Sequence, residues 1–297
     1  MRDLLAVDEA WYTEHAERVR AWLRAGGVVD ASPEAAAKLI PTRRGSGSVA
    51  VIPVTGFLTQ KPSLFSMIFG GTSVEAVAAE VAAGMRDSSV SAIVLAVDSP
   101  GGSVHGVPEA AAKIRAARGP KPLFAVADPF AASAAYWIAA QADEVIGVPS
   151  SITGSIGVIL AHSDLSGALE QAGIKVSLIR SGPNKDRSHP AEPLDDEARA
   201  ELQGKVDYFA RMFEADVAKG RRVSVEKVRS DFGEGLTFTA DAASKVGLVD
   251  RVATLEEVIG QAARGRRPES MGPAPRGYDA TEVAIRARLA GVKAGES

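Results

Sequence analysis

From Ser48 onward the sequence alternates short apolar runs rich in Val, Ile and Ala with amphipathic stretches of about ten to fifteen residues. That alternation restricts the chain to an α/β design with parallel strand pairing, because each helix carries the chain back to start the next strand. Strands are predicted over Val49–Val54, Ala92–Val97, Pro122–Ala127, Glu144–Val148, Ile156–Leu160 and Lys175–Ile179. Helices are predicted over Ser73–Arg86, Val107–Ala117, Ala131–Ala142 and Ser163–Ala172, followed by a long one near 195–219. In the long helix Leu202, Val206, Phe209, Phe213 and Val217 fall on one stripe, which reads as packing onto the body.

The flanks have a different texture. In the first 47 residues Trp11, Ala16, Val19, Trp22 and Leu23 recur at helical spacing, and Ser32-Pro33-Glu34 has the cap and first-turn chemistry of a second helix start. We therefore expect a helical N-terminal appendage over 1–47 and a main domain over 48–264. Residues 265–280 read as a flexible linker opening a C-terminal tail over 265–297, with a weak helical pattern near 281–292.

Composition removes several functional classes. The chain of 297 residues has no cysteine, which excludes disulfides, thiolate catalysis and cysteine zinc sites. The net charge of −3 and scattered basic residues leave nucleic acid little to hold. Asp3, Asp8 and Glu9 interrupt what a signal peptide needs as an apolar run. No segment reaches the roughly 18 apolar residues of a membrane span. The expectation is a chain of cytosolic character with no membrane span.

Four segments can carry chemistry. Asp98-Ser99-Pro100-Gly101-Gly102-Ser103 follows a strand, and its paired glycines allow close backbone approach. Backbone N–H groups there suit an oxyanion hole, although the segment alone is better matched by an ordinary turn. Ser133 stands among small residues at a strand-to-helix junction, where a nucleophile and a capping serine are equally well accommodated. Thr153-Gly154-Ser155-Ile156-Gly157 reads as a turn that can also place a second hydroxyl beside a catalytic group. Lys185, in Ser181-Gly182-Pro183-Asn184-Lys185-Asp186-Arg187, reads by itself as a solvated loop lysine. The four histidines, His15, His105, His162 and His189, stand in no local signature of a general base, which disfavours a Ser–His–Asp triad.

Taken in order, these segments resemble the signal peptide peptidase A family of serine proteases, which share the repeated β-β-α fold of the Clp protease and the crotonases. DSPGGSV is similar to the family's oxyanion segment, AASAAYWIA to its nucleophile segment, TGSIGV to its TGSIG turn and SGPNKD to its SGxxKD segment. The resemblance covers about Ser48 to Val252. It is greatest to the capsid maturation proteases of tailed phages and prophages, in TGSIGVILAHSDLSGALEQAG and VDYFARMF. Ala134 and Ala135 replace the usual glycines after the nucleophile.

The resemblance implies a serine endopeptidase with a Ser–Lys dyad, needing no metal or organic cofactor. Ser133 would be the nucleophile, Lys185 the general base and Ser155 the group that orients the lysine amine. The N–H groups of Gly102 and Ala134 would receive the oxyanion. It also implies a polypeptide substrate of the scaffold or capsid kind, a homo-oligomer, and a location in the bacterial host cytoplasm or the phage procapsid. Two other readings differ in class. One is an acyl-CoA enzyme of crotonase type, which would not need Ser133 and Lys185 together. The other is a capsid-assembly protein with an inactive core.

Overall fold

The structure, a computed structural model, describes residues 5–7, 38–41, 48–62, 71–182 and 184–271. The first strands are β1 (Leu5–Val7), β2 (Lys38–Pro41), β3 (Ser48–Thr55), β4 (Phe57–Thr59) and β5 (Gly71–Ser73). Helix α1 (Val74–Arg86) leads into β6 (Val90–Ser99) and β7 (Gly101–Ser103), then α2 (Val107–Ala117), β8 (Leu123–Ala132), α3 (Ala134–Ala139), β9 (Glu144–Gly147) and β10 (Ile152–Gly154). Helices α4 (Ser166–Gln171), α5 (Asp196–Arg221) and α6 (Val225–Asp231) follow. The described chain closes with β11 (Thr237–Thr239), α7 (Ala240–Val246), β12 (Arg251–Val252), α8 (Leu255–Ala263) and a 3-10 turn at Glu269–Met271.

The predicted alternation is present. Strands β3, β6 and β8 pair in parallel as the centre of the main sheet, with β2 antiparallel at one side. At the other side β9 pairs with the first half of β8 and β10 with its last three residues, both in parallel. A smaller sheet in the order β1-β7-β4-β5 stands at the carboxyl ends of β3 and β6. The central strands are apolar on both faces, as a covered parallel sheet requires. On one face Ile52, Ile93, Leu95 and Ala125 meet Val77, Val81, Ile114 and Trp137. On the other Val94, Phe124, Val126 and Ile146 meet Val258 and Ala262 of α8.

Several expectations need correction. The run Lys175–Ile179 forms no strand, and Ile174, Val176 and Ile179 are exposed. The strand expected over Ile156–Leu160 lies earlier, at Ile152–Gly154. The helix expected from Ala131 begins only at Ala134, because Ala131 and Ala132 still pair with Ser99, Thr153 and Gly154 as part of β8. The helices expected over 9–25 and from Ser32 lie outside the described residues, as do those after Met271; Leu5–Val7 and Lys38–Pro41, within the expected appendage, are strands. At the start of the expected linker, Arg266 pairs with Glu144, the Arg267 guanidinium donates to the Pro120 carbonyl (2.8 Å), and Ser270 Oγ donates to the Asp143 carbonyl (2.8 Å).

Candidate active site

The parallel register of β8 and β10 sets the site. Ala132 is paired with Gly154, so Ser133 and Ser155 occupy the next position on each of two neighbouring strands. The Ser133 N–H donates to the Gly154 carbonyl (2.8 Å), and the Ser155 N–H donates to the Leu236 carbonyl (2.7 Å). Both serines have φ 53°, a left-handed conformation that L-residues avoid. Such strain costs about 1–3 kcal/mol per residue and persists only where the surroundings impose it.

Ser133 sits one residue before α3, where a capping serine would sit, yet its side chain makes no capping bond. It is fully buried, and among the described residues its Oγ has no hydrogen-bond partner. A buried hydroxyl without a partner costs about 1–3 kcal/mol. A capping role would have repaid that penalty, so the cap reading of Ser133 fails on its own terms. Ala134 opens α3, and an N–H in a helix's first turn has no partner within the helix.

The glycine segment lies against this corner. Ser99 pairs with Ala131, and the chain then passes through Pro100 into β7. Ser99 Oγ donates to the Gly56 carbonyl (2.6 Å) and accepts from the Gly101 N–H (3.1 Å), which fixes the turn. Gly102 pairs with Leu58, and a Cβ at 102 would lie 2.0 Å from the Leu58 carbonyl oxygen. Only glycine fits there, which is the close approach expected of it from the sequence. Strand β7 also packs against α3.

Lys185 is placed differently. It lies exposed in a turn whose backbone bond runs from the Lys185 N–H to the Gly182 carbonyl (3.2 Å), and its amine is not a partner of Ser133 Oγ. Between Ile159 and Glu197 no described residue is buried, and α4 contributes nothing to the core. The structure thus gathers Ser133, Ser155, Gly102 and Ala134 at one corner and carries Lys185 on an exposed arm. Among the histidines, His105 packs edge-on against Phe209 (5.8 Å between ring centres), and His189 Nδ1 accepts from the Ala191 N–H (3.1 Å). His162 Nε2 is buried without a partner, and none of the described histidines bonds Ser133.

Sequence reasoning missed the support behind the nucleophile. Trp137 stacks on Phe213 at 4.3 Å and donates from Nε1 to Asp216 (3.1 Å). Asp216 also receives the Arg115 guanidinium (3.3 Å), which donates to Gln141 (2.7 Å). Tyr136 donates to the Leu248 carbonyl (2.7 Å), and its burial pushes the phenol well above its usual range. The five consecutive small residues before Tyr136 gave no hint of this network, because most of its partners, Arg115, Asp216 and Leu248, lie far away in the sequence.

The corner thus places a strained, buried serine at a sheet end beside a paired glycine, and the chain belongs to peptidase family S49, whose pattern matches residues 115–267. Among curated proteins it is 32% identical over 236 residues to the head-tail preconnector protein GP5 of Enterobacteria phage P21, covering 80% of this chain and 47% of that protein. It is likewise 32% identical over 211 residues to the capsid assembly protease C of Escherichia phage lambda, covering 71% of this chain and 48% of that one. The chain therefore spans about half the length of these relatives. The solved structure of a membrane-bound stomatin-specific protease 1510-N mutant is similar at 17% identity and a TM-score of 0.48, over 78% of this chain and 93% of that one. Among the described residues no helix is long and apolar enough to cross a membrane.

Proposed function

We propose that the protein is a serine endopeptidase in which Ser133 attacks the peptide carbonyl and Lys185 serves as general base, acting on scaffold or capsid polypeptides during phage head maturation. The observation that carries this reading is Ser133 itself, strained, buried and unpartnered beside Gly101-Gly102 at the end of β8. The similarity to phage P21 GP5 and lambda protease C supports the setting. In this reading Ser155 orients the lysine amine, while the N–H groups of Gly102 and Ala134 receive the developing oxyanion. The tetrahedral intermediate then collapses to the acyl-enzyme, expelling the amine with the proton returned from Lys185; water, deprotonated in turn by Lys185, attacks the ester and frees Ser133.

A lysine works as a base only once its ammonium is desolvated. The arm that carries Lys185 exposes Leu165, Ile174, Val176 and Ile179. Packing these against another copy of the chain would bury apolar surface and shield the lysine together, so we read the working form as a homo-oligomer. The test is incubation with candidate capsid and scaffold proteins, read by mass spectrometry. Wild type should cut, Ser133→Ala and Lys185→Met should not, and His105→Ala and His162→Ala should remain close to wild type. Turnover by pure, folded Ser133→Ala would overturn the assignment.

A further inference from the structure

Strand β7, the glycine segment of the site, has both edges taken. On one side it pairs in parallel with β4 through Leu58 and Gly102. On the other it pairs antiparallel with β1, in the register Leu5↔Ser103, Ala6↔Gly102 and Val7↔Gly101. An extended polypeptide can be held by adding it as a strand to a free sheet edge through main-chain hydrogen bonds. The outer edge of Gly101–Ser103 is such an edge, beside the corner that holds Ser133. It is filled by three residues from far away in the sequence. Among the described residues strand β1 ends its sheet and pairs with β7 alone. With each hydrogen bond worth about 0.5–1.5 kcal/mol net, so short a one-sided ladder is a weak hold.

We propose that Leu5–Val7 occupies the antiparallel edge of Gly101–Ser103 as an intramolecular pseudosubstrate, which an incoming extended polypeptide displaces. Recognition there is by main chain, since glycines at 101 and 102 offer no side chain. That the docked peptide is then cut rests on the reading of Ser133 given above; the docking does not.

The test uses the full chain with Ser133→Ala, so that bound peptide survives, and a synthetic fluorescent peptide with the sequence of residues 3–9. In an antiparallel ladder successive residues bond to opposite sides. One of Leu5→Pro and Ala6→Pro therefore removes a donor aimed at β7. If β1 fills the edge about nine-tenths of the time, that variant binds the peptide about tenfold tighter than its parent. Amide exchange at Gly101–Ser103 speeds up in that variant and slows again on adding peptide. The parent supplies a check independent of any proline: at saturating peptide, Leu5–Val7 lose protection while Gly101–Ser103 keep it. The inference is overturned by equal affinity in parent and both variants, by Leu5–Val7 staying protected at saturation, or by no binding at all. With Ser133 restored, docking without cleavage would sink the endopeptidase reading and leave this one standing.

Discussion

Ser133 and Ser155 share one backbone torsion, φ 53°, on adjacent parallel strands just beyond the paired residues Ala132 and Gly154. Two non-glycine residues in that region side by side mean that the corner is held by the strands around it. Trp137, Tyr136 and their partners hold α3 from behind, and the Leu236 carbonyl holds Ser155 from β11's side.

Removing the strain should stabilise the protein as it removes function. Ser133→Gly relieves a left-handed side chain and an unpartnered hydroxyl together, so its melting temperature should rise, by an amount equivalent to about 1–2 kcal/mol. Ser133→Ala relieves only the hydroxyl and should rise less. Calorimetry checks the order Gly, Ala, wild type, and mass spectrometry should find no acyl-enzyme in either variant. A fall in stability for Ser133→Gly would mean that the corner is not strained.

Gly102→Ala should damage both stability and turnover. Its Cβ would sit 2.0 Å from a backbone oxygen, so β7 and β4 must separate. A loss of about 3 kcal/mol is expected from a forced core displacement of this kind. Urea melts give the stability, and peptide hydrolysis gives the activity. Wild-type values for both would contradict the close approach.

The polar support behind α3 predicts a graded effect at Asp216. Asp216→Asn keeps an acceptor for Trp137 Nε1 and should cost less than Asp216→Ala, which leaves both Trp137 and Arg115 without their shared acceptor. About 2–3 kcal/mol is the expected loss for Ala, in line with charge-assisted bonds to buried groups. Equal melting temperatures for the two variants would show that the carboxyl fills space and nothing more.

A pH-dependent prediction falls on Asp98. It is an exposed residue whose carboxyl is partly enclosed, and that enclosure, with the charge of Asp128 adding to it, holds its pKa above the ordinary 3.8. A carboxyl raised in the folded state costs stability once it ionises. The cost is absent below 3.8, grows as pH rises through the raised value, and is fully present above it. Asp98→Asn should therefore raise the melting temperature at pH 7 and not at pH 3. A gain of equal size at both pH values would point to packing.

The α/β alternation was readable because buried parallel strands must be apolar runs, and α2 matched its predicted span from Val107 to Ala117. The errors have physical causes. Ala131 and Ala132 favour a helix by propensity, but pairing with Ser99, Thr153 and Gly154 keeps them extended. The β-branched run at Lys175–Ile179 looks like a strand, yet no described strand lies beside it to pair with. Ser133 could be singled out from sequence by its small neighbours. Its strain and its missing partner could not, because both depend on β10, some twenty residues later in the chain.

Among the described residues between Ile159 and Glu197 none is buried and Leu160 alone packs against the core, so a calorimeter melting the isolated subunit would scarcely register the arm. Its amides would exchange at rates set by local fluctuation instead of by global unfolding. In the homo-oligomer proposed above, order in that stretch would become a property of concentration: dilute protein would show a stable body with an unprotected arm, and bringing copies together would place the segment that bears Lys185 under protection.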